Sequence, residues 1–211
     1  MSYHQRQQRL TQALRNTSGQ GIRLSKQTSN LFRNRSTQGQ VLDVHEFNHV
    51  LAIDPVTRII ETEGMVTYEA LVDASLRQGL MPAVVPQLKS ITIGGAVSGI
   101  GIESSSFRYG LPHETVLEMD VLLGTGEVIC CTPNNEHRDL FFGLANSYGT
   151  LGYILRLKIQ GIPVKPYVRL THVRCADSQE FFDRVNKVCQ GPFDFVDGVV
   201  FAPGEHYLVL G

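Results

Sequence analysis

The stretch from Val84 to Gly110, VVPQLKSITIGGAVSGIGIESSSFRYG, predicts more about the fold than any other part of the chain. Five of its residues are glycine, and no charged residue lies between Lys89 and Glu103. Glycine at this density indicates a backbone that turns through positive φ or approaches another group closely. Small residues also leave backbone N–H groups uncovered, which suits a phosphate or the oxygen-rich edge of a cofactor. The interspersed isoleucines and valine indicate a packed segment, and a glycine-rich surface loop without a ligand is the alternative.

The composition argues against several classes of protein. A chain of 211 residues, 42% of them hydrophobic, is long enough for one large or two modest domains that need no disulfides. Nineteen basic and twenty acidic residues provide no positive excess for binding nucleic acid. The four cysteines include no C-x-x-C pair and the histidines are scattered, so no metal site is predicted. With no apolar run of about 20 residues and no signal peptide, we expect a cytoplasmic protein without a membrane span.

Hydrophobic periodicity predicts helices and strands in mixed order on both sides of the glycine-rich stretch. A helical pattern runs from Val66 to Gln78, with Thr67 as its N-cap and Gly79 at its end. Alternating apolar and polar residues predict strands, several of them paired in hairpins. The other predicted helices span residues 137–145 and 178–190, and predicted strands include 115–123, 127–131, 153–160, 168–174, 195–201 and 206–210.

Three features of the sequence have more than one interpretation. The run GGAVSGIG, residues 94–101, has the small-residue spacing of a dinucleotide fingerprint, but we predict that it opens no helix, which argues against a Rossmann fold. Glu103 is the one acid among the small residues, and it either hydrogen-bonds loop amides or faces a substrate cavity. Residues 22–35 carry four basic side chains and form either a solvated surface or a binding loop.

Four motifs together carry a family resemblance. They are TIGGAVSGIG at 92–101, SSSFRYG at 104–110, VLEMDVLLGTGEVI at 116–129 and DLFFGLANSYGTLGYILRLKI at 139–159. In this order they resemble the flavin-binding domain of the vanillyl-alcohol oxidase / p-cresol methylhydroxylase (PCMH-type) superfamily. Within it, the segments are most similar to the delta-24-sterol reductase group, and the likeness runs from about Val41 to Gly211.

The resemblance implies an α+β fold in which FAD lies between two α+β subdomains. It also implies that the start of an α/β-plait-like substrate domain follows them. We therefore expect an N-terminal helix and an abbreviated first FAD subdomain in residues 1–39, the FAD-binding PCMH-type domain in residues 40–164, and an incomplete substrate (cap) domain in residues 165–211. Because the substrate domain of the family is longer than this last segment, we expect a chain that is truncated at its C-terminal end.

The resemblance also implies which residues contact FAD. Those expected at the diphosphate and ribityl region are Thr92, Gly94, Gly95 and Ser98. Those expected at the following turn are Gly99, Gly101, Ile102 and Ser104, those expected at the adenine or ribose are Gly149, Gly152 and Ile154, and Pro86 and Ile93 complete the set. Many members carry a flavin-linked histidine near the segment that corresponds to residues 17–35. This segment contains no histidine here, so we expect FAD to bind non-covalently.

The first functional hypothesis is an FAD-dependent oxidoreductase, or its flavin-binding portion, that transfers a hydride between FAD and a small organic substrate. The reaction would be reduction of an alkene with NADPH or NADH as the electron donor, or oxidation of an alcohol. The alternative is a non-catalytic remnant or subunit that binds flavin, with a second copy or a partner chain completing the last domain. A small-molecule-binding module without flavin is the third hypothesis. The motifs identify no catalytic residue.

Overall fold

Residues 1–17, 21–26 and 38–211 are described by the structure, which is a computed structural model. They form the mixture of helices and strands that the sequence predicts. The helices are α1 (Tyr3–Arg15), α2 (Tyr68–Leu76), α3 (Ile93–Gly99), α4 (Ser106–Tyr109), α5 (Arg138–Gly143) and α6 (Ser178–Val188), with a 3₁₀ turn at Pro112–Thr115. The strands are β1 (Ile22–Ser25), β2 (Gln40–Asp43), β3 (Val50–Asp54), β4 (Ile59–Glu63), β5 (Leu80–Pro82), β6 (Val116–Leu122), β7 (Val128–Cys131), β8 (Tyr153–Pro163), β9 (Thr171–Cys175), β10 (Val196–Ala202) and β11 (Glu205–Leu210).

An antiparallel sheet in the order β3-β4-β8-β6-β7 forms the centre of the fold. Its longest strand, β8, pairs with β4 on one side and β6 on the other, and the last residues of β8 pair with β5. Leu157 and Ile159 of β8 lie in the main hydrophobic core with Tyr68 and Leu71 of α2 and Ile93 of α3. The glycine-rich stretch is therefore packed against the sheet, as its isoleucines predict.

Helix α1 covers a second, smaller core on the N-terminal side of the fold. A capping box that starts at Ser2 closes its first turn. Its buried face carries Leu10 and Leu14, which pack against residues of β2 and β8. On the same face, Arg6 forms a buried ion pair with Glu63 at the end of β4. Next along the chain, β1 and β2 form a parallel pair, and residues 27–37 between them lie outside the described residues.

Helix α2 begins and ends where the sequence predicts. The Thr67 hydroxyl accepts a hydrogen bond from the Ala70 amide at 3.3 Å, which confirms Thr67 as the N-cap. Gly79, just beyond the end of the helix, has a φ of 71°. This left-handed conformation is one that glycine adopts without steric cost.

The prediction that no helix opens in the glycine-rich stretch is wrong. Helix α3 begins after Thr92, whose hydroxyl accepts a hydrogen bond from the Gly95 amide at 3.3 Å. The amides of its first two residues donate to the carbonyl oxygens of Val66 and Gly64, both at 2.9 Å. Glycine disfavours a helix by about 1 kcal/mol per residue relative to alanine. The cap and the tertiary hydrogen bonds offset that cost here.

The C-terminal residues form a three-stranded antiparallel sheet in the order β10-β11-β9, with α6 packed on one face. This arrangement confirms the predicted order of strand, helix and hairpin. Phe181 of α6 is buried against this sheet, as its place in the helical pattern predicts. The sequence pattern also predicts Phe182 on the inward face of this helix, and that prediction is wrong: Phe182 is 62% exposed, because adjacent helical residues point about 100° apart.

A charged network joins three strands of the main sheet to α1. Arg156 of β8 donates to Glu61 of β4 at 2.6 Å, and to Glu118 and Asp120 of β6 at 2.7 and 2.8 Å. The Tyr3 hydroxyl of α1 donates to Asp120 at 2.7 Å. Burial alone would raise the pKa of Asp120, but the hydrogen bonds from Arg156 and Tyr3 outweigh burial, so this pKa is lowered. The folded state therefore favours the charged form of Asp120.

Gly64, between β4 and α2, lies where three backbone segments meet. Its amide donates to the Leu155 carbonyl oxygen at 2.8 Å, and its own carbonyl oxygen accepts from the Gly94 amide at 2.9 Å. A Cβ atom on Gly64 would lie 2.1 Å from the Ile154 carbonyl oxygen. Only glycine therefore fits at this position.

The four cysteines are all free thiols. Within the described ranges, no helix combines the length and the apolar character needed to cross a lipid bilayer. Among the described residues, no group of three or more His, Cys, Asp or Glu side chains is arranged so that it could hold a metal ion.

We predict that Gly64→Ala lowers the free energy of unfolding by about 3 kcal/mol, the upper part of the range for overpacking a dense interior. Urea unfolding followed by circular dichroism would measure the change. Gly124→Ala is the matched control, because a Cβ atom on Gly124 meets nothing within 4 Å. Equal stabilities of the two variants would contradict the close approach of Gly64 to β8.

A second prediction concerns pH. The pKa of Asp120 is lower in the folded state than in the unfolded chain, so its stabilising contribution is present above the unfolded pKa and is lost as the pH falls through the folded pKa. Arg156→Gln should lower the free energy of unfolding at pH 7 by about 3 kcal/mol, as breaking a mostly buried ion pair does. The difference from wild type should shrink below pH of about 4, where unpaired carboxyl groups protonate.

Urea titrations at neutral and acidic pH would measure this dependence. The control is Arg184→Gln, which breaks an exposed pair with Glu180 one helical turn away and should cost less than about 0.5 kcal/mol. A destabilisation by Arg156→Gln that stays constant with pH would show that the charge of Asp120 is not its cause.

Candidate functional site

A cleft lies where β1, α3 and the loop before β8 meet, and it encloses about 60 Å³. Its walls are mostly glycine, apolar and aromatic residues. Among the described residues of its lining there is one charged group, the Lys26 ammonium. The described residues that line the cleft are Leu24, Lys26, Met65, Gly94, Gly95, Ser98, Tyr148, Gly149, Gly152, Tyr153 and Ile154.

Helix α3 forms one wall of the cleft. The expectation that its glycines leave their amides uncovered is wrong, because the Gly94 amide donates to Gly64 and the Gly95 amide to the Thr92 hydroxyl. The need for glycine at position 94 has another cause: a Cβ atom there would lie 2.8 Å from the Gly64 carbonyl oxygen. Glycine at position 94 thus lets α3 lie close to the end of β4. A ligand in this cleft would therefore meet side chains and backbone amides that already have hydrogen-bond partners.

The opposite wall is a tight turn that leads into β8. Asn146, Tyr148 and Gly149 all have left-handed backbone conformations, with φ of 59°, 50° and 85°. The Tyr148 amide donates to the Ser98 carbonyl oxygen of α3 at 3.0 Å, which joins the two walls. At the end of the turn, a Cβ atom on Gly152 would lie 2.6 Å from a methyl group of β6. The segment Gly149 to Gly152 therefore completes a tight turn before β8.

Six of the thirteen residues that the sequence predicts as FAD contacts line this cleft. They come from two segments that are distant in sequence, namely Gly94, Gly95 and Ser98 from α3 and Gly149, Gly152 and Ile154 from the turn into β8. The structure does not bring the remaining seven to the cleft: Pro86, Thr92, Ile93, Gly99, Gly101, Ile102 and Ser104.

Several of these seven residues have structural positions of their own. Thr92 caps α3, and the Ile93 side chain is fully buried in the main core. Ile102 is 83% exposed, and the Ser104 carbonyl oxygen accepts a hydrogen bond from the Val196 amide of β10 at 2.8 Å. The segment after α3 therefore connects the cleft region to the C-terminal sheet.

Glu103 in this segment hydrogen-bonds a loop amide, which was one of the two interpretations of its role. Its carboxylate accepts from the Gln87 amide at 3.1 Å. Burial raises the pKa of Glu103 and the nearby charge of Asp197 adds to the rise, while the Gln87 hydrogen bond opposes it. The carboxyl group therefore takes up a proton at a higher pH than an exposed glutamate would.

Five residues of the lining were not among the predicted contacts: Leu24, Lys26, Met65, Tyr148 and Tyr153. Lys26 belongs to the basic segment 22–35, and its position at the cleft favours a binding loop over a solvated surface for the described part of that segment. The Tyr153 hydroxyl donates to the Met65 sulfur at 3.0 Å, and burial raises the pKa of Tyr153. It therefore remains a protonated donor.

A sequence profile of the FAD binding domain family matches residues 6–132, more than half of the chain. The chain belongs to this family of FAD-binding domains. This FAD-binding chain is 34% identical to a Delta(24)-sterol reductase of Arabidopsis thaliana over 179 residues, which cover 81% of the chain and 32% of that protein. These findings confirm the resemblance that its motifs predict.

Two further relatives show a similar extent of likeness. The chain is 31% identical to the Delta(24)-sterol reductase of Homo sapiens over 163 residues, which cover 77% of the chain and 31% of that protein. It is 30% identical to cytokinin dehydrogenase 7 of Oryza sativa subsp. japonica over 146 residues, covering 67% of the chain and 28% of that protein. The FAD-binding chain thus spans about a third of the length of the relatives it matches.

The chemistry of the cleft suits one part of an FAD molecule. Small-molecule sites typically measure about 300–1,000 Å³, so a cleft of about 60 Å³ would hold only a portion of a dinucleotide. Lys26 is the residue of the described lining with a positive charge, and this charge suits a phosphate group. The half-exposed ring of Tyr148 suits the face of a planar ring.

We predict that Lys26→Gln weakens the binding of FAD about tenfold, because a hydrogen bond to a charged group contributes about 1.5–3 kcal/mol. Titration of the protein with FAD, followed by flavin fluorescence, would measure the dissociation constant. Arg23→Gln is the matched control, since it removes the same charge from an exposed position of β1 that does not line the cleft. Equal losses in both variants would indicate a general effect of charge and not a contact with Lys26.

Proposed function

We propose that this chain is the flavin-binding part of an FAD-dependent oxidoreductase that transfers a hydride between FAD and a small organic substrate. The observation that carries the proposal is the cleft between α3 and the turn into β8, in a chain that belongs to the family of FAD-binding domains. When bound, FAD would supply the hydride chemistry, and the protein would supply position and shelter from water.

The chain would hold FAD with side chains and small-residue walls. In this proposal Lys26 binds a phosphate oxygen, and Gly95 and Gly149 let the ligand lie close to the backbone. The rest of FAD would extend along residues 99–104 toward the C-terminal sheet. Residues 1–39 would then hold the N-terminal helix and an abbreviated first flavin subdomain, residues 40–164 the FAD-binding PCMH-type domain, and residues 165–211 the start of the substrate domain. Non-covalent binding stays a prediction from the sequence, in which residues 17–35 contain no histidine.

Reduction of an alkene is the reaction that the relatives favour. Two of them carry the name Delta(24)-sterol reductase and match a larger share of the chain than the cytokinin dehydrogenase does. We therefore propose an alkene of the sterol type as the substrate class and NADPH or NADH as the electron donor. A cytoplasmic location, expected from the sequence, also stays a prediction.

A second candidate is a flavin-binding subunit that turns over no substrate by itself. The exposed side chains of β10 favour it: β10 is an edge strand of its sheet, and Phe201 on it is 71% exposed. Such an edge suits a further strand from a second copy or a partner chain.

The central prediction is that the purified chain binds FAD. It should show flavin absorbance near 450 nm (a general property of oxidised flavin), or should gain it when FAD is added and free ligand removed. At a free concentration of 100 times the dissociation constant, FAD should stabilise the fold by about 2.7 kcal/mol, which raises the melting temperature by roughly 5–10 °C for a domain of this size. A scanning fluorimetry series in FAD would measure the shift.

The electron donor separates the two candidates. Anaerobic addition of NADPH or NADH to the FAD-loaded protein should bleach the 450 nm band if the chain is catalytically competent. Flavin binding without bleaching by either donor would favour the subunit. Absence of both the absorbance and the thermal shift would eliminate both candidates.

A further inference from the structure

We propose that Tyr148 is a stacking residue for a planar ring that carries a phosphate, which in FAD is either the adenine or the isoalloxazine ring. The inference rests on the proposed function, because it concerns the same cleft. It adds a specific contact, made by a residue that lies within the 139–159 motif but is not among the contacts that the resemblance implies.

The position of the Tyr148 ring supports a role at the cleft. The side chain lines the cleft and the residue is 47% exposed, so its ring is not required to fill the hydrophobic core. A carbon at the ring edge lies 3.8 Å from where a Cβ atom on Gly99 would be placed. The ring therefore lies beside the last turn of α3, at a position where the helix has no side chain to cover it.

The backbone at Tyr148 is held in place by its neighbours on both sides. Its amide donates to the Ser98 carbonyl oxygen of α3, and the following residue, Gly149, continues the left-handed turn. Residues other than glycine, asparagine and aspartate rarely adopt a φ of 50°. Glycine would make this turn with less strain, and strained residues of this kind cluster at sites that hold ligands. The large side chain is thus not explained by the turn itself.

The chemistry of the cleft indicates which ligand the ring would meet. Lys26 lines the same cleft and is suited to a phosphate. A ring face next to a cation matches a nucleotide, in which a planar heteroaromatic ring and a phosphate are covalently linked. Stacking on an aromatic side chain stabilises such rings whatever their substituents. Tyr153 lines the same cleft, but its ring packs against the N-terminal core and its hydroxyl donates a hydrogen bond to the Met65 sulfur.

The test compares wild type, Tyr148→Phe and Tyr148→Gly by isothermal titration calorimetry with FAD, ADP and FMN. Tyr148→Phe keeps the ring and should bind FAD within about twofold of wild type, whereas Tyr148→Gly should bind about tenfold more weakly. The melting temperature of each unliganded variant is measured as well, and titrations run well below these temperatures should still show the weaker binding of Tyr148→Gly. If Tyr148 had only a structural role, its removal would weaken binding only to the extent that it destabilises the fold.

ADP and FMN distinguish the two ring sources. Loss of ADP affinity in Tyr148→Gly would assign the stack to adenine, and loss of FMN affinity would assign it to isoalloxazine; either result supports the inference. Unchanged affinity of Tyr148→Gly for all three ligands would overturn it, and so would equal losses in the Phe and Gly variants. If wild type fails to bind FAD but binds ADP or FMN in a manner that depends on the Tyr148 ring, the proposed function fails and the stacking inference stands. Binding of none of the three ligands overturns both.

Discussion

The hydrogen bond from the Gly94 amide to the Gly64 carbonyl oxygen, 2.9 Å long, is the contact on which the rest of the structure depends. It forms because neither residue has a side chain, so the backbones of α3 and of the β4–α2 turn can touch. Gly64 also donates to Leu155 of β8. One small area of backbone thus sets the position of α3 relative to the sheet, and with it the depth of the cleft.

Sequence reasoning identified the parts of the fold that depend on local chemistry. The Thr67 cap, the end of α2 at Gly79 and the hairpin of β6 and β7 follow from residue types at fixed offsets, and the structure has all of them. Helix α3 was missed because its glycines argue against a helix locally. Its stability comes from the carbonyl oxygens of Gly64 and Val66, which only the tertiary fold places there.

The candidate site likewise combines residues that local sequence patterns identify with residues that only the tertiary fold brings together. The motifs identified Gly94, Gly95 and Ser98, because short-range glycine patterns are visible in the sequence. Lys26 and Tyr148 could not be found in this way, since the fold brings them together from segments that are distant in sequence. The left-handed backbone of Tyr148 has no signature in the sequence either, because tyrosine is not a residue from which such a conformation is predicted.

Strand β8 places the cleft wall and the centre of the sheet on one continuous segment. Its first residues, Tyr153 and Ile154, line the cleft, its middle carries Arg156 with three carboxylate partners, and its last residues pair with β5. Local opening is least frequent where buried contacts and paired backbone are densest. The β8 side of the cleft therefore belongs to the slowest-exchanging part of the protein, and its amides would open to solvent only together with the sheet. Adjustment of the cleft to a ligand would thus fall to side chains at its edge, such as the half-exposed Tyr148 ring, and not to the backbone of β8.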